Sequence, residues 1–307
     1  MADIILHHYP RSPYAEKVRL GLGIKGLAWK SVTIPMVMPK PDLTPLTGGY
    51  RKTPVMQIGA DVYCDTQLIL RELERRFPEP TFYPDRSAGA ADALAFWADR
   101  FLFSPAVGVA FAIGGDRFDD AFKRDRAKFS GREFDVGRMK AAMPKLVDQL
   151  RAHLAHLDTM LSDGRPFLMG GKPGLADLSP YHCLWFIERN AGPDAPPLKD
   201  LPRIRDWMKR LAGIGHGRPT DLDSKAALEI ARSASPQTAQ ATDAADPEGR
   251  RPGMRVSVVP DDTGRDPVEG ELLASSAQEI AIRREDPQVG EVVVHFPRAG
   301  FIVSSAT

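Results

Sequence analysis

The stretch HHYPRSPYAEKVRLGL, residues 7–22, decides how the chain begins to fold. The apolar-rich run DIILHHY at residues 3–9 reads as a short strand. Ala15, Val18 and Leu22 then recur at helical spacing, so a helix follows, with Ser12 at its cap and Pro13 in its first turn. Such a start leaves several backbone N–H groups without intrahelical partners, aimed past the strand end, where an anion is favoured. Ser12 therefore has two readings: a cap for its own helix, or a hydroxyl that holds a thiolate.

Outward from that turn, WKSVTI carries Val32 and Ile34 at period two, and VMQI and VYC flank the turn Gly59-Ala60-Asp61. DTQLILRELERRFPEP sets Ile69, Leu73 and Phe77 on one helical face before a proline stop. A β-α-β unit, a long connection and a β-hairpin-α unit make a small mixed sheet covered by helices, assigned to residues 1–82. Residues 88–217 read as helices only; one of them carries Leu146, Leu150, Leu154, Leu157 and Leu161 and stops at Gly164, with Pro166 barring continuation. Residues 218–252 read as a helix and a linker poor in large apolar side chains. Residues 253–307 hold five β-rich runs between Asp/Gly/Pro turns, a small third domain.

The 307 residues are 43% hydrophobic and 26% charged, as in a globular protein of two or three domains. Lys and Arg total 41 against 40 Asp and Glu, a formal +1, so no net field draws the chain to nucleic acid or anionic lipid. A small ligand is the expectation. The start MADIILHHYP lacks a basic region and a signal-length apolar run, and no window reads as the ~20 apolar residues of a membrane span, so the cytoplasm is expected. Cys64 and Cys183 have no metal-ligand or redox spacing and read as core residues. His7 and His8 alternate across a strand and cannot face one metal together. His153 and His156 read as a solvated helix face, and no metal site is expected.

The segment GGYRKTPVMQIGADVYCDTQLIL, residues 48–70, adds the rest of a site. Pro54 opens a strand; with a cis bond from Thr53, Val55 would offer an unpaired N–H and C=O to a peptide. Asp65 and Thr66 stand at a second helix start, where free amides suit a carboxylate and Asp65 suits an ammonium. An anion site, a peptide rung and an amino-acid head-group site together fit a short peptide bearing a thiol.

YPRSPYAEKVRLGL, then KTPV, then CDTQLILREL resembles the strand-end Ser-Pro, cis-proline and acidic-Ser/Thr motifs of cytosolic glutathione S-transferases, in order and spacing. FLMGGKPGLADLSPYHCLWFI is similar to the family's helix-capping segment. The likeness covers about residues 1–217 and leaves the β-rich tail outside it. It implies a thioredoxin-like glutathione-binding domain, a helical domain and a homodimer that conjugates glutathione to a hydrophobic electrophile, a detoxifying transferase. It implies that Ser12 donates to the sulfur, with Tyr9 and Tyr14 as alternatives. Thr53, Pro54 and Val55 would then meet the cysteinyl part, Asp65 and Thr66 the γ-glutamyl head, and Lys40 and Lys52 the glycyl carboxylate. Phe96, Trp97, Phe101, Phe103 and Phe111 share the first helix of the second domain; Trp97, Phe101 and Phe103 are the expected wall for an acceptor. The alternative is a protein of this fold that binds glutathione or a hydrophobic ligand without turnover. Two departures stand out. Gly174 replaces the usual Ser or Thr before Leu-Ala-Asp, leaving Asp177 half a capping box, and Thr53 replaces a more usual apolar residue before Pro54. Disulfide reduction is argued against, because Ser12 cannot form the mixed disulfide that a cysteine there would form.

Overall fold

Strand β1 (Ile5–His8) leads directly into helix α1 (Pro13–Ile24), and β1 pairs in parallel with β2 (Ala28–Thr33). After the short α2 (Thr44–Thr47), β3 (Val55–Ile58) and β4 (Asp61–Cys64) form a hairpin, with β3 antiparallel to β1, and α3 (Thr66–Arg76) follows. This is the thioredoxin-like unit, and the computed structural model describes residues 2–196 and 198–306 of the chain.

The helical domain comprises α4 (Ala88–Trp97), a π-helical turn at Ala98–Leu102, α5 (Phe103–Gly114), α6 (Asp120–Ser130), α7 (Val136–Met160), α8 (Leu175–Ala191) and α9 (Pro202–Ala212). The leucine stripe of α7 buries Leu150, Leu154 and Leu157, and Gly164 takes the positive φ of +84° that its position after the helix favours. The start of α8 explains the glycine at 174. A Cβ there would lie 2.4 Å from the Phe82 carbonyl oxygen, which accepts the Leu175 N–H at 2.9 Å. Asp177 still reaches back to the Gly174 N–H at 3.0 Å, and its other oxygen takes Leu168 N–H and Trp207 Nε1–H, both at 2.8 Å.

One expectation about apolar runs is revised. The continuous helical stretch Ala88–Arg117 is long and apolar enough to span a membrane by length and composition. Its apolarity has local causes: Ala91, Ala98, Leu102, Ala106 and Val109 are buried in the core shared with α7 and α8, while Phe96, Phe103 and Phe111 line a cavity.

Beyond α9, β5 (Arg218–Asp221) adds to the outer edge of β2 in parallel, and α10 (Ser224–Arg232) packs on the sheet. Gln57 ties α10 down: its Oε1 accepts from His7 Nε2 at 2.9 Å, and its Nε2 donates to the Ala227 carbonyl at 2.9 Å. The β-rich tail forms β6 (Arg255–Pro260), β7 (Val268–Ser275), β8 (Glu279–Asp286), β9 (Gly290–Pro297) and β10 (Phe301–Ser305). These strands continue the first sheet. β9 pairs with β4 in parallel, Asp61 opposite Val293 and Tyr63 opposite His295, giving the order β10-β6-β7-β8-β9-β4-β3-β1-β2-β5. An edge left open by the hairpin is thereby covered.

A buried polar clasp pins this seam. His295 Nδ1 lies 2.6 Å from Glu279 Oε1 and its Nε2 3.2 Å from Asp61 Oδ1, while Thr238 Oγ1 donates to Asp61 at 2.8 Å and the Tyr63 ring stacks on the imidazole at 4.4 Å. Burial alone would push the imidazole pKa down; the hydrogen bonds to Asp61 and Glu279 outweigh it and hold it above the ordinary value. Burial likewise works to raise Asp61, but His295, the Gln237 amide and Thr238 leave it lowered.

Candidate functional site

A cavity of about 770 Å³ opens between the sheet domain and α4, α5 and α6. The Thr53-Pro54 bond on its wall is cis. The turns before α1 and α3 meet there: Tyr9, Pro13 and Tyr14 line one side, and Asp65, Thr66 and Gln67 the next. Segments far apart in sequence therefore converge on one hollow.

Ser12 stands just behind that wall. It is only 2% exposed, does not line the cavity, and its Oγ accepts the Ala15 N–H at 3.1 Å. This is the capping reading of Ser12, and it leaves the hydroxyl proton free to donate. The hydroxyl beside it, Tyr9, lines the cavity. Burial raises the Tyr9 phenol above its ordinary pKa, against Arg126 and a hydrogen bond with Ser12, so it stays protonated at neutral pH. Tyr14 donates to the Asp99 carbonyl at 3.4 Å and packs on Phe103 and His182, tying the two domains together.

Val55 corrects the reading of the strand. It is fully buried and sits in the ladder between His7 and Cys64, with no place on the cavity wall. Thr53, two positions earlier and before the cis bond, lines the cavity in its stead. Asp65 holds a φ of +73°, unusual for a residue with a side chain, and caps α3 through a 2.9 Å bond from the Gln67 N–H. Burial raises its carboxyl above the usual range, against the pull of Lys52 and the Gln67 amide.

Both expected lysines lie on the wall with partners of their own. Lys40 is 3% exposed and donates to the Arg51 carbonyl at 2.9 Å and to Thr53 Oγ1 at 2.8 Å. Burial, with Arg126 and Arg51 nearby, pushes it down to about 7. Lys52 pairs with Asp262. That aspartate belongs to the β6–β7 loop, a contribution not foreseen from sequence: Asp262, Thr263, Gly300 and Phe301 of the tail all line the cavity. Gly264 fastens the loop, its N–H donating to the Phe129 carbonyl at 2.9 Å, and its φ of +61° with Phe129 packed against it leaves no room for a side chain. Arg100 pairs with Asp261 at 2.6 Å.

The acceptor wall also differs from expectation. Phe103 lines the cavity with Phe96, Phe111 and Phe186, but Trp97 and Phe101 do not. Trp97 turns to His153 and His156 on α7, and Phe101 is 64% exposed on the outer surface. Between the two ends, Asp99 on the π-helical turn accepts Lys17 Nζ at 2.8 Å and faces His182 Nε2 at 2.9 Å. Such turns recur at functional sites.

Residues 6–81 match the model for the glutathione S-transferase N-terminal domain, and residues 140–210 that for its C-terminal domain. A solved GST-like protein from Pseudomonas syringae is 42% identical, aligns over 100% of both chains and superposes with a TM-score of 0.79. FtsZ-localized protein A of Caulobacter vibrioides is 24% identical over 223 residues, 71% of this chain and 90% of its own. The glutathione S-transferase of Ceriporiopsis subvermispora, solved in complex with glutathione, shares the fold at 20% identity and a TM-score of 0.54, covering 69% of this chain and 96% of its own.

Proposed function

The chain belongs to the glutathione S-transferase family, and we propose that it binds glutathione in this cavity and directs its thiol at a hydrophobic electrophile. The observation that carries the proposal is the convergence of the cis Thr53-Pro54 turn with the starts of α1 and α3 on one hollow whose far end is aromatic. Thr53 offers its backbone to the cysteinyl unit, Asp65 meets the γ-glutamyl ammonium, and Thr66 with the start of α3 meets its carboxylate. The positive φ of Asp65 is the local strain expected where a turn is shaped for a ligand. Lys52 and Lys40 serve the glycyl end.

Tyr9 and Ser12 form the hydroxyl pair at the sulfur, Tyr9 on the wall and Ser12 supporting it from behind. A hydrogen bond to a charged group is worth about 1.5–3 kcal/mol and a helix start about 0.3–1 kcal/mol, against about 1.4 kcal/mol per pKa unit. Together they lower a thiol from ~8.5 by one to two units, enough for an appreciable thiolate fraction at neutral pH. Bound glutathione supplies the nucleophile: its thiol proton passes to water, sulfur bonds the electrophilic carbon, and the leaving group departs with its electron pair. Phe103, Phe111 and Phe186 hold the acceptor and keep water away. Family membership extends the reading to a cytoplasmic homodimer with a detoxifying role, for which sedimentation tests the dimer.

A second reading, ligand binding without turnover, is favoured by the cavity's cations already being engaged: Lys52 with Asp262, and Lys40 with Arg51 and Thr53. The likeness to a relative named for its localisation with FtsZ points the same way. Calorimetric titration with glutathione, run beside a conjugation assay on a panel of electrophiles, separates the two. Binding with product supports the transferase; binding without any product supports the second reading; no glutathione binding ends the transferase and leaves the second reading only a hydrophobic ligand.

A further inference from the structure

Five cations on the cavity wall are paired with carboxylates. Lys17 faces Asp99, Arg51 and Arg126 face Asp125, Lys52 faces Asp262 and Arg100 faces Asp261. Arg11, in the turn before Ser12, is different. Its Nη2 donates to Asn190 Oδ1 at 3.1 Å, its Nε is buried with no acceptor among the described residues, and its guanidinium carbon lies 4.8 Å from the Phe118 ring centroid. The charges that act on it are both positive, Arg117 and Arg189. Arg117 is held there by donating to the Asn190 carbonyl. A guanidinium carries five N–H donors in a rigid fork, and among the described residues one of them is used.

Around this cation the wall is aromatic. Phe111 meets Phe118, Phe122, Phe134 and Phe186 edge to face, with centroids 4.9–6.1 Å apart. An apolar pocket that carries at one end a guanidinium with no carboxylate partner among the described residues suits a flat ring bearing a carboxylate, which takes a guanidinium in a bidentate pair. We infer that the acceptor of this cavity is an aromatic carboxylate, its ring among these phenylalanines and its anionic group on Arg11. The inference rests on the proposal that this end of the cavity is the acceptor pocket.

The test uses unreactive probes, 4-nitrobenzoate and 4-nitrobenzamide, titrated calorimetrically into the full chain with and without glutathione. The carboxylate should bind about tenfold or more tightly than the amide, a charge-assisted preference. Arg11→Met should bring the two within about twofold of each other while leaving glutathione affinity unchanged, and Arg11→Lys should fall between, keeping the charge but losing the fork. Equal affinities in the wild type, or a preference that survives in a folded Arg11→Met protein, overturn the inference. So does a loss of glutathione binding in that variant, which places Arg11 on the donor peptide. If Arg11→Met does not fold, Arg11→Lys decides alone: a preference undiminished from wild type overturns the inference. Should the wild type fail to bind glutathione, the probe titrations still read Arg11, so the two ideas fail separately.

Discussion

Lys52 and Asp262, 210 positions apart in the chain, form an ion pair on the wall of the cavity. The β-rich tail thus places a carboxylate where the donor peptide's own terminal carboxylate is proposed to sit. Asp262→Asn should free Lys52 and tighten glutathione binding about three- to tenfold, roughly 0.7–1.4 kcal/mol for a partly exposed pair. Calorimetry at low and high salt reads it, and Lys52→Met should move affinity the other way. An Asp262→Asn protein with wild-type affinity would remove the lysine from the donor site.

Tyr9 and Ser12 are separable by their side-chain roles. Tyr9→Phe should raise the pKa of bound glutathione by on the order of one unit, the worth of one hydrogen bond to a charged sulfur. Ser12→Ala should cost about 1 kcal/mol of stability through the lost cap and move the thiol less. Thiolate absorbance titrations and urea melts give both quantities. A larger thiol shift in Ser12→Ala than in Tyr9→Phe would exchange the two roles.

The seam between β4 and β9 should respond to pH on both sides. His295 is raised above its ordinary value, so its stabilisation is complete below about pH 6.5 and is lost as the pH climbs through the folded-state value. Asp61 is lowered, so its share is present above about pH 4 and is lost on acidification below that. Removing one partner of so buried a pair, as in His295→Ala, should cost about 3–5 kcal/mol and flatten the alkaline side of a melting-temperature profile. An unchanged alkaline limb would show that the imidazole does not titrate there.

Gly174→Ser restores the residue that the family's capping segment usually carries, yet it should destabilise this chain. The added Cβ collides with the Phe82 carbonyl, an overpacking of the kind that costs about 1–3 kcal/mol. Thermal unfolding checks it, and a stabilised variant would mean that the loop at Phe82 yields freely.

What sequence made legible was local. The apolar phase of α1, α3 and α7, the hairpin turn at Gly59-Ala60 and the five tail strands all follow from patterns a few residues long. Pairing between distant strands leaves no such mark: nothing in GEVVVHFP says that its neighbour is β4, so the tail read as a separate unit when its strands extend the first sheet. β5 leaves no mark in the sequence, because all four of its residues are exposed and show no alternation. α6 buries little beyond Phe122 and so has only a faint apolar stripe. At the site, errors arose where direction matters. Val55 lies in the ladder where Thr53 lies on the wall, and Ser12 turns inward where Tyr9 faces out. Phe96 and Phe103 stand two helical turns apart and share the face toward the cavity, while Trp97 and Phe101 fall on other faces of the same helical stretch.

The partnership of β4 with β9 also sets an order of events during synthesis. Asp61 leaves the ribosome some 230 residues ahead of Val293, the residue it faces. At ~5–20 residues per second the nascent hairpin waits roughly 10–50 s with raw backbone amides and carbonyls along one border. Through that interval any extended polypeptide nearby competes for the position. Translation speed and chaperone supply therefore bear on the yield of native molecules.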